Sequence, residues 1–420
     1  MAIRAEIITV GNELVTGLRS DTNGPYLAER LLTQGIITQR ITSVGDEVTA
    51  IANTVKESRQ RSEVVLVTGG LGSTSDDVTA EAAAQVLKRT MTIYPKALEY
   101  STEPACSWDK EPADAQKKLA YFPAGVELIP NPQGNAPGFL VAEPPLLLFF
   151  LPGVPPELRA MTEQSVLPRL AEAFTSETYY QSRTVKIFGI TETTADARLK
   201  DIPKEHHDVD IAFLPRFPEI EIRIMVRDSC AHAALEKLRC WETEIRKRLE
   251  PYVIGIDAET MEEVVGRLLR ESKAEIAVAE SCTGGLIGHR LTNIAGSSDY
   301  VDRIVVSYSN KAKVEMLNVP EAVISAHGAV SEPTARFMAE GLRALAGTTL
   351  GLATTGIAGP GGGTSEKPVG TVFISLADGT KTWVKEYRFS GTRLQIKQMT
   401  SQVALDWVRR YLLKKSPLSD

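Results

Sequence analysis

The sequence predicts an α/β protein in which two parallel-sheet domains flank a small α+β domain, and three observations predict it. Residues 1 to about 170 alternate short apolar runs with amphipathic helices. Residues 182–254 instead carry a strand of strict alternation. From about residue 260 the strand–loop–helix order resumes. Repeated strand, loop and helix argue a parallel sheet covered by helices on both faces. At 420 residues the chain exceeds one ordinary core. The boundaries read are 1–170, 178–255 and 258–415.

The elements follow in order. Residues 5–10 form a strand, then a polar turn and a helix with Leu27 and Leu31 on one face and Pro25 in its first turn. Residues 64–68 form a second strand, ending in GGLGSTSDD before a helix from about Val78. The apolar run PPLLLFFLP is too short to span a bilayer and reads as a strand buried on both faces, at 146–151. In such sheets ligands collect at the carboxyl ends of the strands, where all three unusual loops fall. In the middle stretch Ile220, Ile222, Ile224 and Val226 alternate with Glu221, Arg223, Met225 and Arg227, the period of a strand with one wet face. A helix with Leu235, Leu238 and Ile245 follows, and the unit reads β-α-β-α. In the third stretch a helix at 260–270 precedes strands at 276–279, 304–308, 350–354, 370–376 and 382–389. Ser331 caps a helix to about Ala346, and residues 394–412 close the chain as an amphipathic helix.

Composition excludes several classes. A net charge of -6 and the lack of a basic stripe or aromatic platform argue against nucleic acid. The four cysteines, Cys106, Cys230, Cys240 and Cys282, lie far apart with no metal-ligand spacing, which suits a reducing cytoplasm. MAIRAEIITVG runs straight into a strand, without signal-peptide layout. The expectation is a cytoplasmic protein with neither nucleic-acid nor membrane partner.

Two regions carry chemistry. In the first domain, Gly69, Gly70 and Gly72 open the backbone to a phosphate. Asp76 and Asp77 either hold a hard cation that bridges phosphate oxygens or cap the following helix. Asn12, Glu13, Asp21 and Asn23 form a second polar cluster, and NPQGNAPG with LPGVPPE forms a third rigid loop. In the third domain TTGIAGPGGGT, with Gly359, Gly361 and Gly362, has the glycine density to cradle a monophosphate through backbone amides; the alternative is a flexible surface loop. Ser281, Cys282 and Thr283 follow a strand and precede Gly284, Gly285 and a helix, a place for a nucleophile or for a simple cap. His289 lies in the next helix and His327 in a loop, so neither is a convincing base for Ser281; a lysine can serve instead where desolvation or a nearby cation lowers its pKa, the alternative being a merely solvated charge. Tyr308, Lys311 and Lys313 fall at the same sheet edge. Cys282 is the stronger nucleophile chemically, yet free cysteine is more often a small buried hydrophobe.

The order of AESCTGGLI, VSYSNKAK, GAVSEPTA and TTGIAGPGGG resembles the competence/damage-inducible CinA family, whose C-terminal domain is a nicotinamide-nucleotide amidase. GNEL, SDTN, TGGLGSTSDD, NAPGF and LPGVPPE resemble the same family's molybdopterin-binding-like N-terminal domain, and the middle stretch resembles its KH-type module. That module lacks the GxxG that clamps RNA, so it reads as an assembly or spacer domain and not as an RNA binder. The resemblance implies hydrolysis of nicotinamide mononucleotide to nicotinate mononucleotide and ammonia. It places Ser281, Tyr308, Lys313, Thr355 and Arg393 around the substrate. Ser281 attacks the carboxamide, Lys313 and Tyr308 move its proton, N–H groups at 283–285 hold the oxyanion, and Arg393 with the glycine loop holds the phosphate. No cofactor is implied there. For the N-terminal domain the resemblance implies an ADP-ribose pyrophosphatase using a divalent cation such as magnesium, and potassium. The sequence departs from the family at Ser73, where proline is usual, and over 101–118. The alternative is a domain that binds a nucleotide or molybdopterin-like ligand without turning it over. The resemblance also implies a homodimer.

Overall fold

The computed structural model describes residues 3–100, 117–175 and 178–418, so residues 101–116, most of the STEPACSWDKEPADAQKK segment, lie outside it. Two compact units emerge, one of the residues up to Ser182 with Met225–Leu238, the other of Arg183–Ile224 with the chain from Arg239. Among the described residues no helix is long and apolar enough to cross a membrane.

The first unit holds strands β1 (Ile3–Val10), β2 (Ile36–Val44), β3 (Val64–Thr68), β4 (Met91–Ile93), β5 (Tyr121–Pro123), β6 (Glu127–Ile129), β7 (Gly138–Glu143) and β8 (Leu146–Leu151). Its main sheet has the order β2-β1-β3-β8-β7-β6. The first four strands run parallel. β7 and β6 run antiparallel, so the sheet is mixed at one edge rather than parallel throughout. The reason is chain length: Pro144 and Pro145 alone join β7 to β8, and a parallel pair needs a crossover of a dozen or more residues. β3 is buried along its whole length, as expected of β-branched residues with helices on both faces. In β8, Leu148 and Phe150 enter one core while Leu147, Phe149 and Leu151 enter the other.

The middle sheet, β9 (Tyr179–Ile187), β10 (Val209–Arg216), β11 (Glu219–Asp228) and β12 (Val253–Ile256), has the order β10-β11-β9-β12. Ile222, Ile224 and Val226 are fully buried on one face. The β-α-β-α reading needs correction. Two helices, Glu192–Leu199 and Ile202–Glu205, precede β10, and β10 and β11 then form a hairpin across Phe217 and Pro218. β10 went unread because most of its residues face solvent or are only partly covered, which blurs the period-two signal.

The C-terminal sheet holds β13 (Ile276–Glu280), β14 (Val301–Val306), β15 (Leu350–Gly356), β16 (Thr371–Ala377) and β17 (Thr382–Arg388), in the order β14-β13-β15-β16-β17. β13, β14 and β15 are parallel; β16 and β17 add antiparallel strands because no helix intervenes between them. Thr260 and Glu263 form a capping box for the helix Met261–Glu271, and Ser331 caps Glu332–Ala346 as expected. The closing helix, Arg393–Leu412, is not amphipathic in its setting: every residue from Thr400 to Arg410 is buried. Its polar side meets the middle segment instead of water. Arg409 donates to the carbonyls of Val253 and Pro251 at 3.0 and 2.8 Å, and Gln402 donates to Glu219 at 2.8 Å.

Candidate active site

β13 delivers Ser281 to the carboxyl edge of the C-terminal sheet. Ser281 N–H donates to Thr354 O at 3.0 Å, and Ser307 N–H donates to Glu280 O at 2.9 Å. The ends of β13, β14 and β15 are thereby tied together. Gly284 and Gly285 turn the chain with φ of +62° and +92°, a region that favours glycine. The fully buried Glu280 carboxylate accepts the N–H groups of Gly285, Ile287 and Gly288 at 2.9, 3.2 and 2.8 Å. A carboxylate thus satisfies the start of the helix Leu286–Thr292 and opposes its partial positive charge. Two of the N–H groups expected to hold an oxyanion are therefore already engaged. Gly285 is engaged by Glu280, and Gly284 N–H donates to Ser281 O at 3.2 Å.

Ser309 caps the helix Asn310–Leu317, which places Lys313 one turn in and 1% exposed. Its ammonium lies 3.0 Å from Ser281 Oγ and donates to Ser307 O at 2.8 Å. Burial lowers the Lys313 pKa below its ordinary value, because the charged form loses hydration. A neutral lysine beside a hydroxyl is a base in contact with a nucleophile. Cys282 is the weaker candidate: burial pushes its thiol up to about 12, so the thiolate is suppressed. His289 lies in the helix Leu286–Thr292; His327 ends the helix Glu321–His327 and is not in a loop.

Other predicted residues take different places. Tyr308 is 62% exposed and accepts a hydrogen bond from Arg393 at 3.0 Å, not from Lys313. Arg393 also donates to Gly359 O at 2.8 Å, so one guanidinium joins the loop after β14 to the glycine loop. Thr355 is buried and donates to Ala329 O at 2.8 Å, while the hydroxyls of Thr354 and Thr283 bond each other at 2.8 Å. The glycine loop is held rather than free. Lys367 N–H donates to Thr364 Oγ1 at 3.0 Å, and Lys367 Nζ donates to His327 O at 2.9 Å. Gly361 and Gly362 lie exposed at its tip. The sequence did not single out Glu280, whose signal was its place before SCTGG. Nor did it single out Ser307, whose buried hydroxyl has no partner.

In the first unit Glu13, Asp21, Asn23, Gly69, Gly70, Gly72, Asp76 and Asp77 line one cavity of about 680 Å³, together with residues 133–136 and 152–155. The three loops at the ends of β1, β3 and β8 therefore share one space. Asn23 joins two of them, donating to Gly153 O at 2.8 Å and Thr68 Oγ1 at 3.3 Å. Asn12 is turned to Asp46, whose carboxylate accepts its N–H at 2.7 Å. Neither Asp76 nor Asp77 caps the next helix, Thr79–Leu87, which has no side-chain cap. Both carboxylates accept from Thr74 Oγ1 instead, and Asp77 also accepts Thr74 N–H at 2.9 Å. Among the described residues no group of three or more histidine, cysteine or acidic side chains is placed to hold a metal.

Residues 258–412 match the CinA C-terminal domain, 6–172 a probable molybdopterin binding domain, and 182–255 the damage-inducible protein CinA KH domain. A CinA-like protein of Syntrophus aciditrophicus is 44% identical over 416 residues, 98% of each chain. A putative competence-damage inducible protein of Caldicellulosiruptor bescii is 41% identical, over 97% of this chain and 99% of its own. Among solved structures, competence/damage inducible protein CihA from Agrobacterium tumefaciens is 40% identical, covering 36% of this chain and 95% of that one, with a TM-score of 0.35. A CinA superfamily protein from Klebsiella pneumoniae is 30% identical, covering 37% and 99%, with a TM-score of 0.36. Matched nearly end to end by such relatives, and carrying these three domains in this order, the chain belongs to the CinA family.

Proposed function

We propose that the C-terminal domain hydrolyses the carboxamide of nicotinamide mononucleotide, giving nicotinate mononucleotide and ammonia. The observation that carries this reading is the buried Lys313 Nζ 3.0 Å from Ser281 Oγ. Neutral Lys313 takes the proton of Ser281 as Oγ bonds to the amide carbon. The tetrahedral intermediate then expels the nitrogen, which leaves as ammonia with that proton. Water, deprotonated by Lys313, cleaves the resulting ester and restores the serine. The carboxamide selects the attacked bond, and the cationic edge at Arg393 selects the mononucleotide. Purified protein should release ammonia from nicotinamide mononucleotide without added metal, and not from nicotinamide or nicotinamide riboside. No release from any of the three sinks the reading.

For the first unit the 680 Å³ cavity favours a nucleotide-sized ligand, and ADP-ribose pyrophosphatase activity is the reading its acidic rim suggests. Asp76 and Asp77 suit a magnesium ion that completes its shell with water and substrate phosphate, since two carboxylates are no all-protein cage. The ion would supply charge neutralisation at the phosphates. Binding of ADP-ribose without release of AMP would leave the domain as a non-catalytic binding module.

A further inference from the structure

Ser307, the first residue beyond β14, is fully buried, and its hydroxyl has no hydrogen-bond partner among the described residues. A hydroxyl taken out of water without a partner costs stability, so one kept beside a nucleophile calls for a functional account. The register of the sheet fixes its neighbours. Glu280 of β13 stands opposite Val306 of β14 and Thr354 of β15. The N–H groups of Ser281 and Ser307 extend the two ladders by one residue, through Thr354 O and Glu280 O. Ser307, Ser281 and Thr355 therefore form a row of hydroxyls across three adjacent strands. Ala279 and Ala353, two residues back, share a core with Leu317 from the helix that carries Lys313. Side chains two apart on a strand share a face, so the row stands on the side of Lys313. Thr355 donates to Ala329 O at 2.8 Å, and Ser281 meets Lys313 at 3.0 Å. Of the three hydroxyls, Ser307 alone is unpaired.

Lys313 is short of one acceptor. An ammonium has three donors, whereas Nζ has two partners here, Ser281 Oγ at 3.0 Å and Ser307 O at 2.8 Å. A neutral amine is satisfied by them, with its lone pair toward the Ser281 hydroxyl. Once it takes a proton, a third N–H needs an acceptor at a side chain only 1% exposed. The residue whose carbonyl already holds Nζ carries the unpaired hydroxyl, and a hydroxyl accepts as readily as it donates. The charged and titratable groups nearby are committed elsewhere. Glu280 is spent on the helix Leu286–Thr292, and Cys282, which acts on Lys313, is kept a neutral thiol by burial. Lys311 and Glu315 pair with each other in solvent, and Tyr308 is turned to Arg393. The helix Glu332–Ala346, packed against that of Lys313, buries only Thr334, Ala335, Met338, Ala339 and Leu342.

We propose that Ser307 is a positioning residue: its hydroxyl takes the third N–H of Lys313 once the lysine has accepted the Ser281 proton, and so holds the conjugate acid against the reacting centre. Its use in turnover rests on the amidase reading; the contact itself does not. In that reading the proton leaves Ser281 Oγ as Oγ bonds to the carboxamide carbon. It stays on Lys313 while Ser307 O and Oγ hold two N–H groups, and the remaining N–H gives its proton to the nitrogen as the C–N bond breaks. The test is the titration of Lys313 in the full chain, followed by carbon-13 NMR of ε-labelled lysine and assigned by the signal lost in Lys313→Arg. A hydroxyl that accepts from the charged form favours it, so Ser307→Ala should lower the Lys313 pKa by about one pH unit. Ser307→Thr, which keeps the hydroxyl, should restore it. The thermal midpoint of Ser307→Ala should not fall at a pH where Lys313 is neutral, because alanine removes an unpaired polar group from the interior. An unchanged Lys313 pKa in Ser307→Ala overturns the proposal. So does a shift that persists in Ser307→Thr, which would assign it to packing. For ammonia release from nicotinamide mononucleotide, Ser307→Ala should lower kcat about tenfold and leave KM within about twofold, and a kcat equal to wild type overturns the positioning role. A wild type that releases no ammonia, while its Lys313 titration depends on Ser307, would overturn the amidase reading and leave the contact standing.

Discussion

Lys313 owes its chemistry to the removal of water around it. An exposed lysine titrates near 10.4 and is nearly all ammonium at neutral pH, useless as a base. Burial lowers that value, so kcat should rise with pH through an apparent pKa below that of a free lysine. Lys313→Arg, which cannot deprotonate, should lack the limb and lose activity by about 10²-fold or more, as should Lys313→Ala. Ammonia release against pH, with thermal unfolding to confirm the fold, decides this. The sign for stability follows from the same shift. The unfolded chain holds the Lys313 proton to higher pH than the folded one, so this group makes stability rise with pH between the two values. Glu280 acts differently, by holding the turn. Glu280→Ala leaves three helix N–H groups without their acceptor and should lower stability by about 3 kcal/mol or more, read from urea unfolding. A midpoint within error of wild type would show that water replaces the carboxylate. Ser281 and Lys313 were both legible as residue types in a motif. Their pairing was legible only through the family resemblance, since 32 positions separate them and the parallel packing of β13 and β14 is what brings them together.

At the scale of the element, the closing helix shows how a local pattern misleads. Its charged residues look like a wet face, yet Asp406, Arg409 and Arg410 are buried as a cluster. Arg409 and Arg410 each reach Asp406 at 2.7 Å. The desolvation of three charges is offset only while the carboxylate and the acceptors from Pro251 and Val253 are in place. Asp406→Ala should therefore destabilise the protein by about 3–5 kcal/mol in denaturant unfolding. Loss below about 1 kcal/mol would show that the two arginines find water, as surface pairs do. The same helix carries Arg393 at its other end, so one element braces the domain and presents a cation.

At the scale of the whole molecule, the two candidate sites stand on different sheets in different compact units. Each opens at the carboxyl ends of parallel strands, β1, β3 and β8 in one and β13, β14 and β15 in the other. Separate cores argue separate chemistry. Asp76→Asn with Asp77→Asn should abolish metal-dependent cleavage of ADP-ribose and leave ammonia release within about twofold of wild type, since the two sites stand on separate sheets and independent sites act additively. A large fall in ammonia release would show that the units are coupled.

By itself the sequence determined the strands with continuous apolar runs, the capped helices, the glycine turns and the family. These depend on neighbours a few residues away, where period, capping and turn chemistry operate. Tertiary structure alone decided that Lys313 comes within 3.0 Å of Ser281 Oγ and that the polar side of the last helix is buried. Each of those is a matter of desolvation and pairing. Both are set by groups that the chain brings together from tens to more than a hundred residues apart, a distance at which no local pattern survives.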